Sequence, residues 1–484
     1  ATHAPMQGSP MPAAPKASGE LAEDDGDLDL EGDAGEEDSG LDAHDDAAPE
    51  AVRNDARRAS GKPPLPKLQH PRTKRLRADL SLCKYDAVWR AMRSMGWDML
   101  GEDEVESDDW NVFWTDNSVS QERAMRLRPM QRINHFPGML ELARKAGTAR
   151  NLNRMLKEFP SEYKFFPSTW LLPADLTDFK SQFTAKKNKT FIIKPSRGCQ
   201  GKDILLTRSL EGINLHENYI AQRYLHRPYL LDGFKFDLRI YVLVTSVDPL
   251  RIYLFREGMV RVCTHKYGAV KANNLEDQCM HLTNYAINKH AEGYLAASST
   301  DDDTAHKRLL SSVLARLRDE GEDVPLLQQQ IREICVKSLI AVQPHLAHMY
   351  YSCQSRRSNP GSSCFELLGF DVILDHKLRP FLLEVNHSPS FAVDTPLDDA
   401  LKSSVLEDTL ALVSFSRDEA KLLRRLRPGR LEDGALERLR AMRVAYEDER
   451  VGRTNFERLY PDPPELPPGA EAPRYEAYLK AAAS

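Results

Sequence analysis

The sequence predicts an α+β fold, and three observations carry that reading. Strand-like segments gather between about 190 and 265 and return at 369–386. Segments with helical apolar spacing lie before and after them. The third observation is a predicted hairpin: 369–375 reads as a strand, 376–379 as its turn and 380–386 as the return. Glu384 and Asn386 are two apart, so a strand sets them on one face. A four-residue turn then puts Asp371 directly across from Glu384. Three oxygen ligands meet in an otherwise apolar hairpin, with room left for phosphate, which suits Mg²⁺ held together with a nucleotide. A glutamate between Leu383 and Val385 is rarely buried unless paired or metal-bound. The chain is therefore expected to perform ATP-dependent chemistry.

The 484 residues suffice for two or three domains with substantial cores. No apolar run approaches the roughly 20 residues of a membrane helix, and no secretory apolar region opens the chain. No membrane association is expected. Seven scattered cysteines without C-x-x-C spacing argue against zinc and disulfides and for a reducing compartment. Ala1 in place of Met leads us to expect a fragment or a processed form. Residues 1–50 carry 15 Asp and Glu against one Lys, so a total charge of −6 leaves +8 on residues 51–484. A basic body of this kind suits an acidic partner.

Taken in order, residues 1–72 are acidic, nearly without aromatics, and predicted disordered. Residues 86–97 have helical spacing, and 111–114 reads as a short strand. A loop at 133–138 precedes helices at 139–145 and 150–159, and a further helix runs from 172 to about 185. Strands follow at 190–193, 203–207, 219–223, 237–244 and 250–255. Residues 303–320 and 326–349 read as helices, and 354–363 as a Ser/Gly/Pro-rich loop. Beyond the hairpin, 398–460 is mostly helical with a break at Pro428-Gly429, and 461–484 is read as a Pro-rich flexible tail. No internal repeat is evident.

Several segments carry chemistry. Residues 191–207 read as strand, glycine loop and strand, with Lys194 at the strand end able to place its ammonium on a phosphate. This is not a P-loop, because Gly201-Lys202 is followed by Asp203 and a strand. No H-R-D or D-F-G follows, which excludes the protein-kinase arrangement. The stretch 220–225 can offer backbone groups to an adenine edge. In 234–240 the alternation is strict: Lys235, Asp237 and Arg239 share one face, which should line a cleft. In the loop 280–289, Thr283 and Asn284 could bind phosphate or ribose, and Lys289 a carboxylate. His281, His290 and His387 lack metal-ligand spacing.

Together these segments resemble the tubulin tyrosine ligase-like family, and more closely its polyglutamylase branch. The motifs are W-T-D at 114–116, I-N-H-F-P-G at 133–138, A-R-N-L-N-R-M at 149–155 and K-P-x-x-G-C-Q-G at 194–201. They continue with D-G-F-K-F-D-L-R at 232–239, H-L-T-N-Y-A-I-N-K at 281–289 and L-L-E-V-N-H-S-P-S at 382–390. The resemblance implies an ATP-grasp catalytic domain over 73–410, with the nucleotide between two lobes. It implies nucleotide contacts by Lys194, Gln200, Gly201, Gln222, Arg223, Tyr224, Leu225, Lys235, Asp237, Thr283 and Asn284. Asp371, Glu384 and Asn386 would bind magnesium, and Arg261, Tyr285, Lys289 and Lys402 the incoming amino acid. Gln200 corresponds to a position associated with elongating chains rather than starting branches. One departure is Asp203, where the family usually has glycine; Asp tolerates a left-handed backbone better than most residues, so activity should survive.

The implied reaction is ATP-dependent ligation of glutamate to the glutamate side chains of acidic tubulin tails through an acylphosphate. Lys194, Lys235 and Arg239 are the candidate catalytic residues, Arg239 as a stabiliser of the transferring phosphoryl or of the oxyanion. Three cations, Arg261, Lys289 and Lys402, favour the two carboxylates of glutamate over glycine or tyrosine. The helical region 411–460 carries Lys421, Arg424, Arg425, Arg427, Arg430, Arg438, Arg440, Arg443, Arg450, Arg453 and Arg458, and resembles a microtubule-docking element. A monomer in the cytoplasm on the cytoskeleton, including cilium and basal body, is expected, with no nucleic-acid partner. The alternatives are a tubulin glycylase or tyrosine ligase on the same fold, or a non-catalytic microtubule-bound scaffold.

Overall fold

The structure is a computed structural model that describes residues 75–104, 107–184, 189–196, 198, 201–355, 359–425, 434–461 and 475–483. All of them belong to one unit, Arg53–Ser484. The acidic segment 1–72, Gln200, Arg427, Arg430 and the break at Pro428-Gly429 lie outside the described residues.

The first layer is a parallel sheet, ordered β2-β1-β3-β4, of β1 (Arg77–Leu82), β2 (Asp98–Met99), β3 (Val112–Thr115) and β4 (Arg132–Ile133). Helices α1 (Asp86–Ser94) and α2 (Gln121–Met125) connect its strands. Then come α3 (Leu140–Ala143) and α4 (Lys145–Glu158), which starts five residues earlier than its sequence pattern suggests. The second sheet, β5-β8-β6-β7, is antiparallel, with β5 (Thr169–Leu172), a short α5 (Leu176–Ser181), β6 (Phe191–Pro195), β7 (Leu205–Thr207) and β8 (Tyr219–Arg223).

The third and largest sheet has seven strands. Its central hairpin pairs β10 (Phe234–Val247), flanked by β9 (Leu230–Leu231), with the 17-residue β11 (Leu250–Lys266). Two short helices follow, α6 (Gln278–His281) and α7 (Tyr285–Asn288). The predicted helix over 303–320 is corrected: β12 (Lys307–Leu309) pairs with β11, and only then does α8 (Leu310–Asp319) begin. The long α9 (Val324–Cys353), capped by Asp323, leads to β13 (Glu366–Leu374) and β14 (Pro380–Asn386). Helices α10 (Pro396–Val413), α11 (Arg417–Arg425) and α12 (Ala435–Val451) follow, and β15 (Phe456–Tyr460) then adds to β11. Region 411–460 is thus not wholly helical. Nor is the predicted flexible tail over 461–484 observed throughout: α13 (Tyr475–Ala483) buries Tyr475, Tyr478 and Ala482 in the main core. Tyr478 meets Phe159 edge-on at 4.8 Å, and Arg154 donates to the Ala482 carbonyl at 2.9 Å.

Strand alternation sorts the large sheet into two faces. Phe236, Leu238, Ile240, Val242 and Val244 pack with residues of α8, α9 and α13 in one core. Tyr241 and Leu243, on the opposite face, pack with residues of α1 and α10. Further along β10 that second face turns from apolar to charged, carrying Asp237 and Arg239. No described helix is long and apolar enough to cross a membrane.

Candidate active site

The charged face is built by register. Asp237 of β10 pairs with Arg261 of β11, and Arg261 pairs in turn with Lys307 of β12. On the other side Arg239 pairs with Asp371 of β13, and Asp371 with Glu384 of β14. Directly paired residues point to the same side, so one row of charges crosses five strands. The Asp371–Glu384 pairing is the predicted one, reached by a different route. The loop closes between Leu374 and Pro380, one residue longer than expected, and a bulge between Asp371 and Val372 restores the register.

Guanidiniums organise this row. Arg239 donates to both Asp371 oxygens at 2.5 and 3.1 Å. Arg261 forks onto Asp237 at 2.8 and 2.6 Å and reaches Asp371 at 2.8 Å. Burial pushes the Asp371 carboxyl up, but the Arg239 and Arg261 charges outweigh it and hold it well below the usual carboxylate range. Asn386 donates to Asp371 and to the Gly369 carbonyl, both at 3.3 Å. For Glu384, burial and then the Asp371 charge raise the carboxyl, and no described group donates a hydrogen bond to it.

The second sheet faces Glu384 with Lys194. Both line one cavity with Lys145, Thr148, Phe166 and Gln222. Lys194 donates to Gln222 Oε1 at 3.1 Å, and Gln222 donates to Thr169 at 2.9 Å. Burial lowers the Lys194 ammonium to about 8, opposed chiefly by the Glu384 charge. Lys235, likewise buried and lowered, rests against neutral groups: the His281 carbonyl and the Tyr224 hydroxyl.

The glycine loop closes on α7. Gly201 has φ +84°, and a Cβ there would lie 2.7 Å from Ile287 and 3.2 Å from the Asn284 side chain. Only glycine serves both the backbone and the space. Asp203 sits at φ +56°, in the left-handed region that its glycine-like position implies. Thr283 donates to Asp237 at 2.7 Å. In the 222–225 connector the Arg223 and Tyr224 amides are spent on the Ser168 and Thr190 carbonyls, so the remaining backbone groups are what it can offer.

At the far end of the row, Lys402 pairs with Asp398 at 2.8 Å and donates to the Ala392 carbonyl. The exposed Lys289 lies 5.6 Å from the Tyr285 ring. Arg261, Tyr285 and Lys402 are linked through Lys307, whose ammonium is 3.8 Å from the Tyr285 ring and 2.7 Å from Asp398. Sequence reasoning missed Lys307 because it was absorbed into a helix, and Lys145 because nothing near it in sequence marks it. Lys145 donates to the Gly198 carbonyl at 2.7 Å and so ties α4 to the glycine loop.

The donor set can be tested against Mg²⁺. Among the described residues no three His, Cys, Asp or Glu side chains form a metal cage. Two adjacent carboxylates and one amide are nonetheless what Mg²⁺ uses when phosphates and water complete its shell. Glu384, without a donor among the described residues, has a place for it. The residues fit the ion.

The predicted basic docking region changes at two of its cations: Arg458 lies on the strand β15, paired with Asp448. Arg443 is buried, bonded to Glu447 at 2.8 Å and to the Ser414 carbonyl at 2.6 Å, and it holds α12 in place. Lys421, Arg424, Arg425 and Arg438 are exposed.

A charged sheet face thus looks across a cavity at a buried lysine beside a glycine loop. Residues 122–421, more than half of the chain, match the tubulin-tyrosine ligase family, and the chain belongs to that family. It is 45% identical over 422 residues to a Danio rerio protein named tubulin polyglutamylase ttll6, covering 84% of this chain and 52% of that one. It is 47% identical over 377 residues to a Tetrahymena thermophila protein named probable beta-tubulin polyglutamylase, covering 74% and 31%. With the Homo sapiens tubulin polyglutamylase TTLL6 the identity is 49% over 350 residues, covering 72% and 38%. The chain thus spans about half or less of the length of these relatives.

Proposed function

We propose that this chain is an ATP-dependent ligase of the ATP-grasp type that adds glutamate to glutamate side chains in acidic tubulin tails, elongating existing chains. The observation that carries the proposal is the charged sheet face opposite Lys194, in a chain 45–49% identical to the three relatives above, each named a tubulin polyglutamylase.

In this reading ATP lies between the second and third sheets. Lys194, Lys235 and the Gly201 loop, with Gln200, hold phosphates, and residues 222–225, Asp237, Thr283 and Asn284 hold the base and ribose. Asp371, Glu384 and Asn386 would hold Mg²⁺, which when bound supplies positive charge to the phosphate oxygens. A substrate γ-carboxylate attacks the γ-phosphorus and ADP departs. The amine of free glutamate then attacks the acyl carbon, phosphate leaves and a proton is released. Arg239, fixed on Asp371, offers its guanidinium to the developing negative charge. Arg261, Tyr285, Lys289 and Lys402 bind the free amino acid. Positioning and charge stabilisation do most of the work.

The exposed cations of α11 and α12 suit docking to an acidic microtubule surface on the cytoskeleton, with cilium and basal body as sites of action. Each exposed pair contributes only about 0–1 kcal/mol, so docking should need many and weaken steeply with salt. The test is mass spectrometry of microtubules incubated with the protein, ATP and glutamate, glycine or tyrosine in turn. Mass additions of glutamate alone support the proposal. Glycine or tyrosine additions select the sister activities, and ATP-independent binding without additions selects a scaffold.

A further inference from the structure

Lys235 holds a buried ammonium that pairs with no carboxylate among the described residues. Asp237, two residues along the same face, is committed to Arg261. A buried ammonium is costly unless its donors are satisfied. Two of its three donors are taken, one by the backbone carbonyl of His281 and one by the Tyr224 hydroxyl at 3.3 Å. The ammonium also stands 4.7 Å from the centre of the Tyr224 ring. The third donor is left for a ligand.

The Tyr224 hydroxyl is itself aimed. His281 is fully buried at the end of α6, a helix whose first turn is capped by the Asp277 side chain. Its Nε2 lies 2.8 Å from the Asn274 carbonyl, and its Nδ1 lies 2.8 Å from the Tyr224 hydroxyl. A carbonyl only accepts, so Nε2 carries the proton and donates it to Asn274. Burial holds the imidazolium below its ordinary value, so the ring is neutral at neutral pH and Nδ1 is a bare acceptor. Tyr224 therefore donates to Nδ1 and turns its oxygen lone pairs toward Lys235. Tyr267, whose ring also meets His281, donates to the His226 carbonyl at 3.1 Å and so brings Tyr224 no competing proton. The chain runs one way, from Lys235 through Tyr224 and His281 to Asn274, and each link polarises the next.

We infer that Tyr224 and His281 are positioning residues, whose hydrogen-bond chain aims the unused donor of Lys235 at a phosphate of the bound nucleotide. The inference rests on the ligase reading and deepens it: that reading gives Lys235 to the phosphates, and the chain directs a lysine that has no carboxylate to lean on. His281 acts twice, by its carbonyl on the ammonium and by its ring through Tyr224. A hydroxyl that only filled space at Tyr224 would act on binding independently of Lys235. A hydroxyl that aims Lys235 has no effect once the lysine is gone.

The experiment is direct binding, by calorimetry, of a non-hydrolysable ATP analogue with Mg²⁺. Tyr224→Phe keeps the ring and its packing and should weaken binding about 3- to 10-fold, the scale of one hydrogen bond. In a Lys235→Met background the same change should weaken it no further. His281→Leu should match Tyr224→Phe, and His281→Asn, whose Oδ1 can stand in for Nδ1, should recover most of the loss. If His281→Leu does not fold, the Tyr224→Phe cycle with Lys235→Met decides alone. Unchanged affinity in Tyr224→Phe, an equal loss with and without Lys235, or no recovery in His281→Asn overturns the inference while leaving the ligase reading standing. If the unaltered protein binds no nucleotide analogue, the ligase reading itself falls and takes this role of Tyr224 and His281 with it.

Discussion

Lys194→Met should change how stability depends on pH in a direction that marks Lys194 as a ligand group and not a structural one. The side chain is 8% exposed, and burial lowers its ammonium from 10.5 to about 8. Holding that charge in the ligand-free fold at neutral pH costs about 3 kcal/mol at 1.4 kcal/mol per tenfold change in proton affinity. A lysine whose folded value lies below its unfolded value disfavours the fold fully below the folded value. The penalty disappears as pH rises to the unfolded value. Met carries no such penalty at any pH. It leaves the Gln222 Oε1 acceptor without its donor, at about 1–3 kcal/mol, but that loss does not vary with pH. Stability of the Met protein minus that of the unaltered one should therefore be highest below pH 8 and fall by about 2–3 kcal/mol on approaching pH 10.5. Urea unfolding of both proteins across that range measures the difference, and affinity for a non-hydrolysable ATP analogue should drop at least about tenfold in the variant. Parallel stability curves together with intact nucleotide affinity would refute the reasoning.

Three further substitutions have separable outcomes. Glu384→Gln should lower ligation about 10²- to 10³-fold without lowering the melting temperature, since it removes a half-buried charge with no described donor; near-normal turnover would remove Glu384 from the metal set. Gly201→Ala must place a Cβ 2.7 Å from Ile287 at φ +84°, so the KM for ATP should rise while affinity for free amino acid holds, as titration of each substrate would show. Glu447→Ala leaves Arg251 buried without its carboxylate and Arg443 with only Glu419 at 3.5 Å, and should cost about 3–5 kcal/mol in denaturant unfolding, with ligation per folded molecule retained.

The strands that carry the charges were readable because alternation on a half-buried sheet is a local property. Lys235, Asp237 and Arg239 declare their shared face within five residues. The Asp371–Glu384 pairing was readable from turn length, although the loop and the bulge each differ by one residue and compensate. β12 was not readable: Lys307-Arg308-Leu309 runs into Leu310 with unbroken helical spacing, and only pairing with Met259, Val260 and Arg261 makes it a strand. β15 was hidden in the same way, because its partner is the edge of β11, about 200 residues away. The C-terminal helix was masked by the prolines before it. Tyr475 and Tyr478 carry the information that it docks, but their partners lie on α4 and in the core. Asp203 was readable by analogy with glycine, and its positive φ follows from the same loop.

Two buried groups of charges in this molecule obey opposite rules, and the contrast separates structure from chemistry. Beneath α12, Arg132 meets Glu419 at 2.6 Å, Arg443 meets Glu447 at 2.8 Å, and Arg251 meets Glu447 at 2.9 Å. Each of these charges lies against an opposite one, the three guanidiniums sharing two carboxylates, and cutting the group leaves an orphan. In the cavity the distribution is reversed. Lys194 and Lys235 lean on an amide, a carbonyl and a phenol, all neutral, while across from Lys194 Glu384 has no described donor. Positive and negative charges are thus kept apart on two facing sheets, although Lys194 and Glu384 line the same cavity. Such separation is unfavourable in a low-dielectric site unless something bearing both signs fits between. A polyphosphate on the lysine side with a divalent cation on the carboxylate side satisfies both faces at once. The ligand-free protein should accordingly gain more stability from nucleotide and Mg²⁺ together than from the sum of each alone, and additive melting shifts would count against this account.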